Sequence, residues 1–176
     1  METKRADATR NRELLLAAAA DLAATTKATP SLAELASCSG LGVGTVYRHF
    51  PTREALADAL AEGKLATMLE AGRRALDGDG LEPFLREAIV MLATDATLAE
   101  VFTRATEQQE LLAVFGELVE RAKSEGLLRA QLTVGDIHHL VCGVQVALRL
   151  GGGDPVTYTD VLLAGLKPAT QRTIEA

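Results

Sequence analysis

Residues 31–50, SLAELASCSGLGVGTVYRHF, constrain this chain most, because they read as a short helix, a tight glycine turn and a second short helix. Ser31 with Glu34 three residues on has the spacing of a capping box, which marks where the first helix begins. Leu32, Leu35, Ala36 and Ser39 then share one helical face, and Ala36 is small enough for a neighbouring helix to come close. Gly40 supplies the left-handed backbone that ends the helix, and Leu41 behind it can enter a core. Gly42 is an acceptable N-cap for the second helix, in which Val46 and Phe50 point inward. Val43, Gly44, Thr45, Tyr47, Arg48 and His49 remain on or near its outer face. Small residues at the start of such a helix allow close approach to a nucleic-acid groove, and the later hydroxyl, guanidinium and imidazole can reach phosphates. The same helix-turn-helix pattern also occurs in packed all-α domains that touch no DNA, where Tyr47 is a half-buried surface aromatic and His49 a packing residue.

The rest of the chain reads as helix as well: alternating β patterns are absent, aromatics make up only 3%, and alanine and leucine dominate. Thr52 caps a long helix to about Leu76, broken by DGDG at 77–80. Further helices run over Leu81–Thr94, Leu98 to about Gln109, and Glu110–Glu125 ending at Gly126. Thr133, with Asp136 at the third position, caps a helix to Leu150 that GGG stops, and Asp154 with Pro155 opens a last helix to about Leu166. The expected fold is all-α, with a three-helix head at residues 1–52 and a helical body at 53–176.

Charge separates along the same line. Residues 1–64 carry eight Lys and Arg against eight Asp and Glu, so the whole formal charge of −6 lies in the remainder. A neutral head on an acidic body implies modest non-specific affinity for nucleic acid and dependence on a few placed contacts. The basic residues Lys4, Arg5, Arg10 and Arg12 either add phosphate contacts or are merely solvated. The two cysteines, Cys38 and Cys142, fall in different expected domains, which argues against a disulfide framework and for a reducing cytoplasm. Cys38 lies near the glycine turn, where oxidation could disturb the head, but no basic residue stands beside it in the sequence to activate the thiol. No apolar run approaches 18 residues and the N-terminus is polar, so neither a membrane span nor a secretion signal is indicated.

The two C-terminal helices are apolar over more than one face and need partners on two sides. Leu140, Val144, Ala147, Leu148, Val161 and Leu162 are candidates for a homodimer interface of four helices, the alternative being packing within one chain. His138, Cys142, Gln145 and Arg149 form a polar stripe on the first of these helices. The stripe faces either a ligand cavity, or the dimer rim and solvent. His138 and Cys142 as metal ligands lack the third partner that zinc requires, so no metal and no cofactor is indicated. Met68, Phe84, Met91, Phe102 and Phe115 are further candidate cavity walls, although such residues are more often ordinary core than pocket lining.

GLGVGTVYRHFPTREAL, together with the helix NRELLLAAAADLAA before it, resembles the N-terminal region of TetR-family transcriptional regulators over about the first third of the chain. The ending DVLLAGLKPA is similar to an actinobacterial-type subgroup. The resemblance implies a third helix that enters the major groove, with groove contacts from Val43, Gly44 and Thr45 and phosphate contacts from Ser31, Tyr47, His49 and Arg53. Gly42 stands where many members have Ser, which removes one phosphate contact and weakens the cap. A homodimeric repressor on a palindromic operator in double-stranded DNA, released by a small-molecule effector in the second domain, is what the family implies. The rival readings are a small helical metal protein or enzyme built on His138, His139 and Cys142, and an interaction module without DNA binding. Against an enzyme, the chain has no nucleophile and base in recognisable order and no phosphate-binding glycine loop.

Overall fold

The computed structural model describes residues 2–104, 109–151 and 153–168, with the side chains of 2–6 excepted. The side chains of Lys4 and Arg5, residues 105–108 on the way to Gln109, Gly152 and Ala169 therefore lie outside the described residues. Among those described there are nine α-helices and no strand, as the composition implied. They are α1 (Glu2–Thr26), α2 (Leu32–Ser39), α3 (Val43–His49), α4 (Arg53–Arg74), α5 (Leu81–Thr94), α6 (Ala96–Thr103), α7 (Gln109–Ser124), α8 (Val134–Arg149) and α9 (Pro155–Leu166).

The helix starts follow local chemistry. The Ser31 hydroxyl accepts from the Glu34 amide at 3.2 Å while the Glu34 carboxylate accepts from the Ser31 amide at 2.8 Å, a complete capping box. Thr133 and Asp136 repeat it at α8, and Asp154 caps α9 with Pro155 at its first position. Thr52 caps α4 through the Ala55 amide, at 3.1 Å. Three boundaries differ from the sequence reading by more than a residue, one being the end of α6, which stops at Thr103 with Arg104 as its C-cap rather than near Gln109. The long helix ends at Arg74 and widens into a π-helical turn, Ala75–Asp79, closed by Gly80 at φ 78°. The next short helix begins at Ala96 rather than Leu98, because the Asp95 carboxylate accepts from the Leu98 amide at 2.8 Å and caps it two residues earlier.

The chain divides into two compact units: residues 1–66 with 94–104, and 67–93 with 105–176. The boundary expected at 52/53 falls inside the first unit, because Leu56 at the start of α4 belongs to the same core as Leu15, Leu35, Val46 and Phe50. Leu56, Leu15, Leu35 and Val46 are fully buried there, and Phe50 nearly so. Each fully buried aliphatic or aromatic side chain contributes about 1.5–3 kcal/mol, which fixes the short helices α2 and α3 that could not persist alone. The second unit buries its own set, including Met68, Leu85, Ile89, Leu118, Ile137 and Leu163.

Candidate functional site

The glycine turn orients α3. Gly40 adopts φ 68° as the C-cap of α2, Leu41 packs partly buried against the core, and Gly42 is extended and gives α3 no side-chain cap. Val46 and Phe50 are buried, so the opposite side of α3 is turned outward. Val43 and Tyr47 are 55% and 51% exposed although both are large and apolar or aromatic. Gly44 and Arg48 are exposed beside them, while Thr45 and His49 are half-buried. An added Cβ at Gly42 or Gly44 would meet nothing within 4 Å, so the start of α3 is open to close approach. The structure therefore brings the expected groove-facing residues onto one unpacked surface. His49 also lies beside Phe50, ring centroids 6.5 Å apart, and the Arg12 guanidinium sits 5.8 Å over the Phe50 ring.

Ser31 and Arg53 are committed elsewhere in this unit. The Ser31 hydroxyl also donates to the Glu34 carboxylate at 2.7 Å, and this pair holds the Glu34 carboxyl below its ordinary range. Arg53, at the first position of α4, donates from Nη1 and Nη2 to the two carboxylate oxygens of Glu100 at 2.7 and 3.0 Å. Its Nε and Nη2 also donate to the Thr29 carbonyl at 3.1 and 3.0 Å. The Thr29 hydroxyl, itself buried, donates to Glu100 at 2.8 Å. Sequence reasoning missed Thr29 and Glu100. The first is an ordinary loop residue, and the second lies 47 positions beyond its partner on a helix with no motif of its own.

In the second unit the polar stripe splits. Gln145 follows Ile137 by eight residues and Val141 by four, shares their core face, and is only 2% exposed. Neither Nε2 nor Oε1 of its amide has a hydrogen-bond partner among the described residues. His138 and Cys142 are half-buried, with Cys142 Sγ 3.6 Å from His138 Nε2, and Arg149 is exposed. Burial, and secondarily the neighbouring His139, pushes the His138 pKa below its ordinary value. No group of three His, Cys, Asp or Glu among the described residues is arranged to hold a metal ion.

The candidate cavity walls behave as core. Met68, Phe84 and Phe115 are buried and Met91 is half-buried, while Phe102 is buried in the first unit. Phe84 and Phe115 pair with centroids 6.1 Å apart, and a Cβ on Gly72 would stand 2.8 Å from Val114 Cγ1 and 3.4 Å from Phe84. That neighbourhood is filled. The second unit instead opens a groove of about 530 Å³ lined by Leu81, Leu85, Leu118, Leu128, Leu163 and Leu166, with Glu82, Arg121 and Lys167 among its polar residues. None of the expected cavity residues lines it, because it forms where segments distant in sequence meet. Of the candidate interface residues, Leu140 and Val161 are 44% and 67% exposed, Val144, Ala147 and Leu148 are half-buried, and Leu162 is buried with Leu163 and Leu166 on the inner face of α9.

Residues 15–60 match the family described as bacterial regulatory proteins, tetR family. Residues 77–168, more than half of the chain, match the family described as transcriptional regulator SbtR-like, C-terminal domain. The HTH-type transcriptional regulator SAR0097 of Staphylococcus aureus (strain MRSA252) is 36% identical over 67 residues, 37% of this chain. The match spans 35% of that relative's length. Among solved structures, the TetR transcription regulatory protein from Mycobacterium vanbaalenii is 31% identical, with 93% of this chain and 99% of that one covered and a TM-score of 0.49. The fatty acid degradation regulator FadR from Bacillus halodurans is 17% identical with 91% and 96% covered, and its TM-score of 0.59 supports the same fold.

Proposed function

The chain belongs to the TetR family of bacterial regulatory proteins, with an SbtR-like C-terminal domain, and from that premise we propose that it is a cytoplasmic, homodimeric repressor released from a palindromic operator by a small molecule. It is a DNA-binding transcriptional regulator; the readings as a metal protein, an enzyme or an interaction module are not favoured. No helix among the described residues is long and apolar enough to cross a membrane.

The observation that carries the reading is the unpacked outer face of α3. Exposing Val43 and Tyr47 to water on a seven-residue helix is unfavourable unless another surface covers them, and a thymine methyl and the sugar-phosphate wall of a major groove supply one. Val43, Gly44 and Thr45 meet base edges, with Gly42 allowing the backbone to come close. Tyr47, Arg48 and His49 reach phosphates, while the Ser31 hydroxyl stays with Glu34 in the capping box. Leu140, Val161 and the half-buried Val144, Ala147 and Leu148 supply the self-complementary apolar face of a two-fold dimer, which sets two copies of α3 about 34 Å apart on successive major grooves.

Gln145 is the polar group that orients the effector. A buried amide without a hydrogen-bond partner among the described residues retains its full hydrogen-bonding capacity, and a molecule that reaches and satisfies it recovers what the unpaired amide forfeits. A ligand that prefers a different separation of the two heads weakens operator binding by linkage. The test is an anisotropy titration against a duplex enriched from a random-sequence library by the protein itself. Preference over a scrambled duplex, steep in protein concentration where dimers form, is the expected result. Equal affinity for both duplexes overturns sequence-specific recognition.

A further inference from the structure

Resting on the DNA-binding reading, we propose that Arg53, Thr29 and Glu100 form a clasp that positions α3 in the groove, and that Arg53 is a positioning residue rather than a phosphate contact. The family resemblance puts a phosphate contact at Arg53; the geometry assigns it a different task.

Thr29 stands two residues before Ser31, which caps α2, and Arg53 opens α4 three residues after Phe50, which ends α3. The two residues are thus the ends of the helix-turn-helix segment. The Arg53 guanidinium joins them directly through the Thr29 carbonyl and joins both to Glu100 on α6. Glu100 closes the figure by accepting from the Thr29 hydroxyl as well. Nε, Nη1 and Nη2 of Arg53 are all engaged, the carboxylate contact is bidentate, and four hydrogen bonds hold the guanidinium in one plane, with the Thr29–Glu100 bond as a fifth within the clasp. An operator phosphate reaching for Arg53 has to displace a carboxylate already paired in the best geometry available and add a second anion beside the first.

The far side of the clasp is itself anchored. Within the same unit Lys64 of α4 pairs with Asp95, the cap of α6, and Arg104 after α6 pairs with Asp58 of α4 at 3.0 Å. Burial pushes the Asp95 carboxyl up, but the Lys64 ammonium and the Leu98 amide outweigh it and hold it below its ordinary value. Glu100 is therefore presented on a helix tied at both ends to α4, and Arg53 and Thr29 are registered against a fixed point. A lysine at 53 keeps the charge but has no planar fork to bridge two carboxylate oxygens and a carbonyl.

The experiment measures binding by fluorescence anisotropy to the enriched duplex and its scrambled counterpart, over a range of salt, with thermal melts to establish that each variant is folded at the assay temperature. Arg53→Ala and Glu100→Ala each lower the ratio of specific to scrambled affinity by about tenfold, and the double variant lowers it no further than either alone. Affinity for scrambled DNA and the salt slope stay as they are, and Arg53→Lys does not restore the ratio. Glu100→Gln and Thr29→Val, which keep the side-chain volumes, show the same direction where the alanine variants do not fold. The proposal is overturned if Arg53→Ala weakens both duplexes equally and flattens the salt slope by about 0.9 per head, if Arg53→Lys behaves as the unaltered chain, or if Glu100→Ala leaves the ratio unchanged. Failure of the unaltered chain to enrich any duplex would instead strike the DNA-binding reading itself.

Discussion

Replacing Gln145 by leucine raises the stability of the effector-free protein. Gln145 is 2% exposed, lies in line with Ile137 and Val141 on the core face of α8, and has no hydrogen-bond partner among the described residues for either end of its amide. Leaving a buried donor or acceptor without a partner costs about 1–3 kcal/mol. Leucine is of similar size, removes that cost and adds apolar contact, so the gain is about 1–3 kcal/mol with little overpacking to set against it. For a chain of this length 1 kcal/mol moves the melting temperature by about 2–4 °C, which puts the rise at roughly 2–12 °C. Differential scanning calorimetry at one fixed protein concentration reads it without confusing folding with dimer dissociation. A lowered melting temperature would refute the reasoning, since it would mean that the amide is already satisfied and that its hydrogen bonds stabilise the fold. The same variant should hold its operator at effector concentrations that release the unaltered chain.

Three other outcomes follow from single residues. Gly40→Ala places a side chain at φ 68° with no neighbour within 4 Å of the new Cβ, so the cost is backbone strain alone, about 1 kcal/mol, seen as a melting temperature lower by about 2–4 °C. Tyr47→Ala weakens binding to all duplexes alike, whereas Thr45→Ala changes the preferred sequence at one position of each half-site, which a mutated-site binding panel separates. His138 has a folded-state pKa below its ordinary value near 6.5, so the unfolded chain takes up the proton first as pH falls. Stability therefore drops through pH 6.5 and below, and His138→Gln flattens the melting-temperature profile between pH 7 and pH 5.

How much was legible in the sequence depended on the range of the interaction. Ser31 with Glu34, Thr133 with Asp136 and Asp154 with Pro155 act within one helical turn, and each cap formed where its spacing indicated. The outer face of α3 was legible for the same reason, since burying Val46 and Phe50 leaves Val43, Tyr47 and Arg48 nowhere else to point. Contacts between distant positions left no local trace. Arg53 matched a motif, yet its partner lies on α6, and no periodicity in a short helix marks one glutamate as the anchor of another segment. The aromatic and methionine residues were equally ambiguous, because a cavity wall and a core residue have the same composition. Only the close approach of Gly72 to Val114 and Phe84 distinguishes a filled neighbourhood from an open one.

The clasp also bears on how salt must act on this protein. Of the eight basic residues in positions 1–64, Arg53 pairs with Glu100 and Lys64 with Asp95, while Arg12 lies over Phe50. Arg48 on the outer face of α3, Arg10 on the exposed surface of α1 and the exposed Lys27 remain among the described cations, Arg48 being the one on the face turned to DNA. Each neutralised phosphate contributes about 0.9 to the slope of log affinity against log salt, so one or two per head give a dimer slope of about −2 to −4. Binding that shallow in salt draws its free energy from groove contacts made twice, and it fails when the two heads are separated. A monomeric variant, made by placing charge at Leu140 and Val161, should therefore lose nearly all sequence preference while keeping its fold. A salt slope that flattens when Arg53 is replaced by alanine would contradict the account directly, because it would mean that Arg53 is seated on a phosphate.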